Sequence, residues 1–84
     1  MNIKVLGTGC AKCKKLYAEV EKAVAAAAHP STLEKVEQID EIMKYGVMMT
    51  PALVINGEVK ASGRIPNPTE LANWIAAAAS KEAE

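Results

Sequence analysis

An apolar run, Ile3-Lys4-Val5-Leu6, stops at Gly7-Thr8-Gly9 and gives way to a helical pattern. This junction constrains the fold more than any other stretch. Asn2–Leu6 reads as a strand, with Ile3, Val5 and Leu6 as its apolar members. Two glycines so close together imply a tight turn in which backbone comes near something else. A helix follows from Cys10 or Ala11 to about Ala28, with Leu16 and Val20 on one face and Tyr17 and Val24 beside them. His29-Pro30 closes it, because the residue before proline disfavours the helical region.

Residues 31–45 admit two readings. Leu33, Val36 and Ile39 are spaced by three, and Ser31-Thr32-Leu33-Glu34 matches a capping box. Pattern alone therefore favours one long helix. The other reading is a strand around Thr32–Gln38, then a short helix capped by Asp40 and ended by Gly46. Beyond it, Pro51–Ile55 is apolar and β-rich, and Asn56-Gly57 is a strong type I′ hairpin signal. Glu58–Ala61 is the returning strand, ended by Gly63. The last helix is well marked: Asn67 caps it, Pro68 takes its first position and Glu70 its third. Leu71, Trp74, Ile75 and Ala78 form its buried face, and Ser80–Glu84 is expected to fray.

The chain has 84 residues, so one domain over 1–84 is expected. Trp74, Tyr17 and Tyr45 are its aromatics and it has no Phe, so the core must come from Ile, Val, Leu, Met and Ala. Lys plus Arg and Asp plus Glu balance at ten each, interspersed, which points away from nucleic-acid or membrane partners. No apolar run is long enough to cross a bilayer and no leader pattern opens the chain. The expected compartment is the cytoplasm, where a close cysteine pair is usually catalytic or metal-binding. A monomer is expected, since no large apolar surface is evident.

That pair is Cys10-Ala11-Lys12-Cys13, between the first strand and the first helix. Disulfide exchange uses a thiolate nucleophile, and a helix N-terminus stabilises negative charge. Cys10, at the helix start, is the expected nucleophile, and Cys13, one turn in, the resolving thiol. Lys12, with Lys14 and Lys15, is a candidate for tuning the pair; an ordinary basic first turn explains it equally well. The same spacing makes half of a zinc or copper site, so a metal-binding module is the alternative. His29 is the one good extra ligand, and it sits at the far end of the helix. A redox-sensing adaptor is a third reading. Elsewhere, Thr50-Pro51 opens a strand, where a missing N–H is tolerated. Met48 and Met49 before it suit an adaptable apolar rim, though core packing is expected of at least one. Trp74 reads as core, Tyr17 as packing, and His29 as a partner of the helix dipole.

Gly9-Cys10-Ala11-Lys12-Cys13 on a strand-to-helix turn, Thr50-Pro51, Asn56-Gly57, Gly63 and a terminal helix together resemble thioredoxins and glutaredoxins. The likeness is greatest to the very small redox-active disulfide proteins of archaea and bacteria, and it covers nearly the whole chain. It implies an α/β thioredoxin-like fold, β-α-β-α-β-β-α, with a four-stranded mixed sheet and helices on both faces. It thereby selects strand-then-helix for residues 31–45. It implies thiol–disulfide exchange with disulfide-containing protein substrates, a thiol or flavoprotein reductase as electron donor, and no cofactor beyond the reversible disulfide. It further implies that Pro51 is cis and packs on the cysteines, that Thr50 pairs with a substrate segment, and that Gly63 lies near the substrate groove. The chain departs from ordinary thioredoxins at Gly9, where they carry Trp, and at Ala11-Lys12, where they carry Gly-Pro. Their buried acid, six residues before the first cysteine, falls at Lys4. The Cys-Pro-Tyr-Cys of many glutaredoxins is also absent, so glutathione use is not implied.

Overall fold

The computed structural model describes residues 1–83. Its elements run β1 (Asn2–Leu6), α1 (Ala11–Ala27), β2 (Thr32–Val36), α2 (Ile39–Met43), β3 (Ala52–Ile55), β4 (Glu58–Ser62) and α3 (Pro68–Glu82). The sheet order is β2-β1-β3-β4. β2 lies parallel to β1, whereas β3 and β4 are antiparallel to their neighbours. This is the mixed sheet the resemblance implies.

Alternation along β1 splits the core in two, because successive side chains point to opposite faces. Ile3 and Val5 join Leu16 and Val20 of α1, Leu71 and Ile75 of α3, and Leu53 and Ile55 of β3. Leu6, on the other face, meets Ala52, Val54 and Ile42 of α2. Helices therefore cover both faces, two on one side and one on the other. Each fully buried Leu or Ile contributes about 1.5–3 kcal/mol relative to exposure, so aliphatic side chains alone suffice for such a core.

Residues 31–45 form a strand and a short helix, not one long helix. β2 is an edge strand with only Leu33 and Val36 half-buried, a spacing of three that imitates a helical stripe. The capping-box hydroxyl of Ser31 instead bonds the His29 carbonyl, 3.0 Å away. Asp40 is not the cap of α2: Gln38 holds that position without a side-chain bond, and Asp40 and Glu41 occupy the first turn. Negative charge there is favourable to the helix dipole whichever residue caps it.

The hairpin forms as its sequence demands, with Asn56 at φ 49° and Gly57 at φ 81°. The last helix carries a full capping box between Asn67 and Glu70, with Pro68 opening the helix. The expected fraying corrects to a helix that runs through Glu82; Glu84 lies outside the described residues. Glu82 is held: it accepts from Asn56 Nδ2 at 3.1 Å and pairs with the Met1 ammonium at 3.3 Å. His29 faces this carboxylate at 3.8 Å and is not part of α1. Trp74 is half-buried at the rim of the core, under the Arg64 guanidinium at 5.9 Å.

Arg64 also makes a bidentate pair with Glu70, at 3.0 and 2.9 Å. This guanidinium, and then the Asn67 N–H, hold the Glu70 carboxyl below its ordinary value of 4.5. A lowered native pKa stabilises the fold above the unfolded value, and that contribution disappears as pH falls through the native value. Glu70→Gln keeps the capping-box acceptor and removes the charge. It should lower Tm at neutral pH, and the gap from the parent should close below pH 4.5, as followed by thermal melts across pH.

Candidate active site

The C-terminal end of β1 runs into Gly7-Thr8-Gly9 and then the N-terminus of α1. Cys10 is the N-cap of α1, with extended backbone at φ −68° and ψ 168°. Its Sγ accepts the Cys13 backbone N–H at 3.2 Å, so the sulfur satisfies a donor the first turn leaves unpaired. Cys10 is exposed and Cys13 is 5 % exposed. The two are joined in a disulfide, with Cα atoms 5.0 Å apart.

Burial of Cys13 depends on Gly7. A Cβ on Gly7 would overlap Cys13 Sγ and stand 3.1 Å from Cys13 Cβ. The glycine-rich turn is thus the close backbone approach that the sequence implied, and its object is the inner cysteine. Gly9 has φ +89°, and a Cβ there would stand 3.3 Å from Glu37 Oε2. Glu37 follows β2 and went unnoticed in the sequence, because nothing there tied residue 37 to the cysteines. With Gly7 and Cys13 it lines a cleft of about 50 Å³, whose other ionisable residues are Lys14 and Lys35.

The loop before β3 approaches the same turn: a Cβ on Gly7 would stand 3.9 Å from Thr50 Cβ. The Thr50-Pro51 peptide is cis, Pro51 is buried and Thr50 is exposed. Gly63 N–H donates to the Pro51 carbonyl at 2.8 Å, and Ser62 Oγ donates to the Met49 carbonyl at 2.9 Å. The end of β4 thereby holds this loop. Gly63 has φ +77°, and a Cβ there would come within 3.0 Å of Met49 Cβ and Cε. The expectation that one methionine packs inward corrects to this: Met48 is 95 % exposed, and Met49, 62 % exposed, lies over Gly63. Ile39 and Met43 of α2 are exposed as well, so the surface carries more apolar area than the sequence suggested.

Lys12 is exposed on the outer side of the first turn. Tyr17 packs on the α1 core, with the Lys35 ammonium 4.7 Å from its ring centre. Lys4, at the position of the thioredoxin acid, donates to the Tyr45 hydroxyl at 2.9 Å and pairs with Glu34 at 3.4 Å. These two partners raise the Lys4 pKa above its ordinary value and hold it as a cation. Among the described residues, no group of three or more His, Cys, Asp or Glu side chains converges as a metal site. His29 lies at the far end of the sheet with Glu82.

The thioredoxin domain family matches residues 1–76, which spans the cysteine turn, the cis proline and the hairpin. The chain belongs to the thioredoxin family. Two archaeal relatives are similar along most of their length. A thioredoxin of Methanothermobacter thermautotrophicus is 34 % identical over 71 residues, covering 84 % of this chain and 92 % of that protein. A thioredoxin of Methanocaldococcus jannaschii is 33 % identical over 69 residues, covering 82 % and 79 % respectively. With the Cys10–Cys13 disulfide, this membership makes the protein a thiol–disulfide oxidoreductase.

The Gly7 contact gives a direct test. Gly7→Ala should destabilise the oxidised protein by about 1–3 kcal/mol, the usual cost of overpacking a tight site. Urea unfolding of the two proteins measures it. Thr8→Ala, at an exposed position of the same turn, should leave the midpoint nearly unchanged.

Proposed function

We propose that this thioredoxin reduces disulfides in protein substrates, with Cys10 as nucleophile and Cys13 as resolving thiol. The supporting observation is the asymmetry of the pair: Cys10 is exposed at the N-terminus of a long helix, and Cys13 is buried one turn in. The helix N-terminus favours a thiolate at Cys10. Cys10 attacks a substrate sulfur and forms a mixed disulfide, and one substrate thiol leaves. Cys13 then attacks Cys10 Sγ, closes the internal disulfide and releases the second thiol. A thiol or flavoprotein reductase returns two electrons to the pair. Lys12 contributes at most modestly as an exposed charge, a few tenths of a kcal/mol in order of magnitude.

Thr50, Pro51 and Gly63 serve as the substrate-docking edge. Exposed Thr50 offers main chain to an extended segment, as in strand addition. The hydrogen bond from Gly63 to Pro51 keeps that edge beside the cysteines. Met48 and Met49 add an apolar, adaptable rim. The protein acts as a monomer in the cytoplasm and needs no bound cofactor.

Insulin reduction with dithiothreitol as reductant tests the roles. Cys10→Ser should abolish turnover, and Cys13→Ser should accumulate a mixed disulfide at Cys10, seen by non-reducing mass spectrometry. Equal activity in all three proteins would overturn the assignment. Zinc or copper titration of the reduced protein tests the metal-module alternative, which tight stoichiometric binding without reductase activity would favour. Gly63→Ala forces a side chain into Met49 at positive φ, so kcat/KM for insulin should fall about tenfold or more, equivalent to about 1.4 kcal/mol. Cys10 alkylation by iodoacetamide should stay within about twofold of the parent, since the nucleophile itself is untouched.

A further inference from the structure

Resolution of the mixed disulfide requires Cys13 to lose a proton, and burial in apolar surroundings disfavours a thiolate. Ordinary thioredoxins place an acid six residues before the first cysteine; this chain has Lys4 there. An ammonium has no lone pair and accepts nothing. Lys4 also points to the α2 face with Tyr45, since its neighbours Ile3 and Val5 face α1 and α3. The proton must leave another way.

Glu37 is the carboxylate that the fold brings to this place. The Gly7 N–H donates to the Val36 carbonyl at 2.9 Å, which ties the end of β2 to the cysteine turn. Glu37 follows immediately, and its Oε2 lies against Gly9, whose positive φ lets the loop pass without a side chain. Glu37 and Cys13 line the same cleft of about 50 Å³. Space of this kind holds a water once it reaches roughly 10–15 Å³, so the cleft has room for one. The charged groups facing Glu37 are Lys14 from α1 and Lys35 from β2.

We propose that Glu37 accepts the proton that Cys13 loses during resolution, relayed by one water in the cleft. This rests on the dithiol mechanism above. The Cys13 thiol gives its proton through the water to Glu37, and its sulfur pair attacks Cys10 Sγ. The Cys10–substrate bond breaks, the Cys10–Cys13 bond forms, and the departing substrate thiolate takes up a proton. The net change is oxidation of the dithiol by two electrons and reduction of one substrate disulfide to two thiols. Glu37 regenerates by releasing its proton to solvent.

The test follows the mixed disulfide directly. Reduced protein is mixed with excess hydroxyethyl disulfide, quenched with acid at intervals, and analysed by mass spectrometry from pH 6 to 10. In Glu37→Gln the Cys10 adduct should persist about a hundredfold longer at pH 7, the low end of what a general base contributes. The difference should shrink toward pH 10, where Cys13 ionises without help. Glu37→Asp should recover part of the rate. Cys10 alkylation by iodoacetamide should be no slower in Glu37→Gln than in the parent, and the Tm nearly unchanged. Adduct lifetimes equal to the parent across the pH range would overturn the proposal. A Cys13→Ser protein that fails to hold any adduct would instead overturn the dithiol mechanism, so the two failures are distinguishable.

Discussion

The seat of Cys13 against the bare backbone of Gly7 is the contact on which the rest of the site depends. It lets a helix start directly above the end of a strand with a sulfur packed between them. With Cys13 sunk in this seat, Cys10 is left at the helix start, open to solvent and bonded to the first turn. The proposed division of labour between two chemically identical thiols rests on that difference in position. It needs no special residue between them, which is consistent with Ala11 and Lys12 standing where other thioredoxins carry Gly and Pro.

Every element that reaches the site does so from the same end of the sheet. β1 and β2 end there, β3 begins there, and β4 ends there with Ser62 and Gly63. The hydrogen bonds at that end tie neighbouring strands together: Gly7 to Val36 joins β1 to β2, and Gly63 to Pro51 and Ser62 to Met49 close the base of the β3–β4 hairpin. The loops thus have few free conformations although none is long. If substrate docks here as proposed, a preorganised end of this kind lowers the entropic cost of holding a flexible segment.

Much of this was legible in the sequence where local chemistry is decisive. Asn56-Gly57 requires positive φ at both positions, and Asn67-Pro68 with Glu70 admits one kind of helix start. The resemblance supplied β2, which pattern alone assigned to a helix, because an edge strand with one half-buried residue on each face, Leu33 and Val36, has no clear period of two. Asp40 was mistaken for a cap because its residue type suits that position, while Gln38 caps by backbone geometry alone. Glu37 was invisible for a different reason. Its meaning comes from the pairing of β2 with β1, a contact between residues some thirty positions apart. Glu82 is the same case: only the packing of α3 brings it to Met1 and Asn56.

The Asn56-Gly57 turn lies at the end of the sheet remote from the cysteines, beside the start of β1. Asn56 is bonded there to Asn2 on both sides, through its backbone N–H to the Asn2 carbonyl at 2.7 Å and through Oδ1 to the Asn2 N–H at 2.8 Å. Chemistry and anchorage therefore occupy opposite poles of a molecule only 33 Å in its longest dimension. For anyone wishing to tether this protein to a resin, an electrode or a fusion partner, Gly57 and Glu58 at the turn tip form a natural handle. Attachment there would present the cysteines outward, with the full depth of the sheet between the surface and the reacting sulfur.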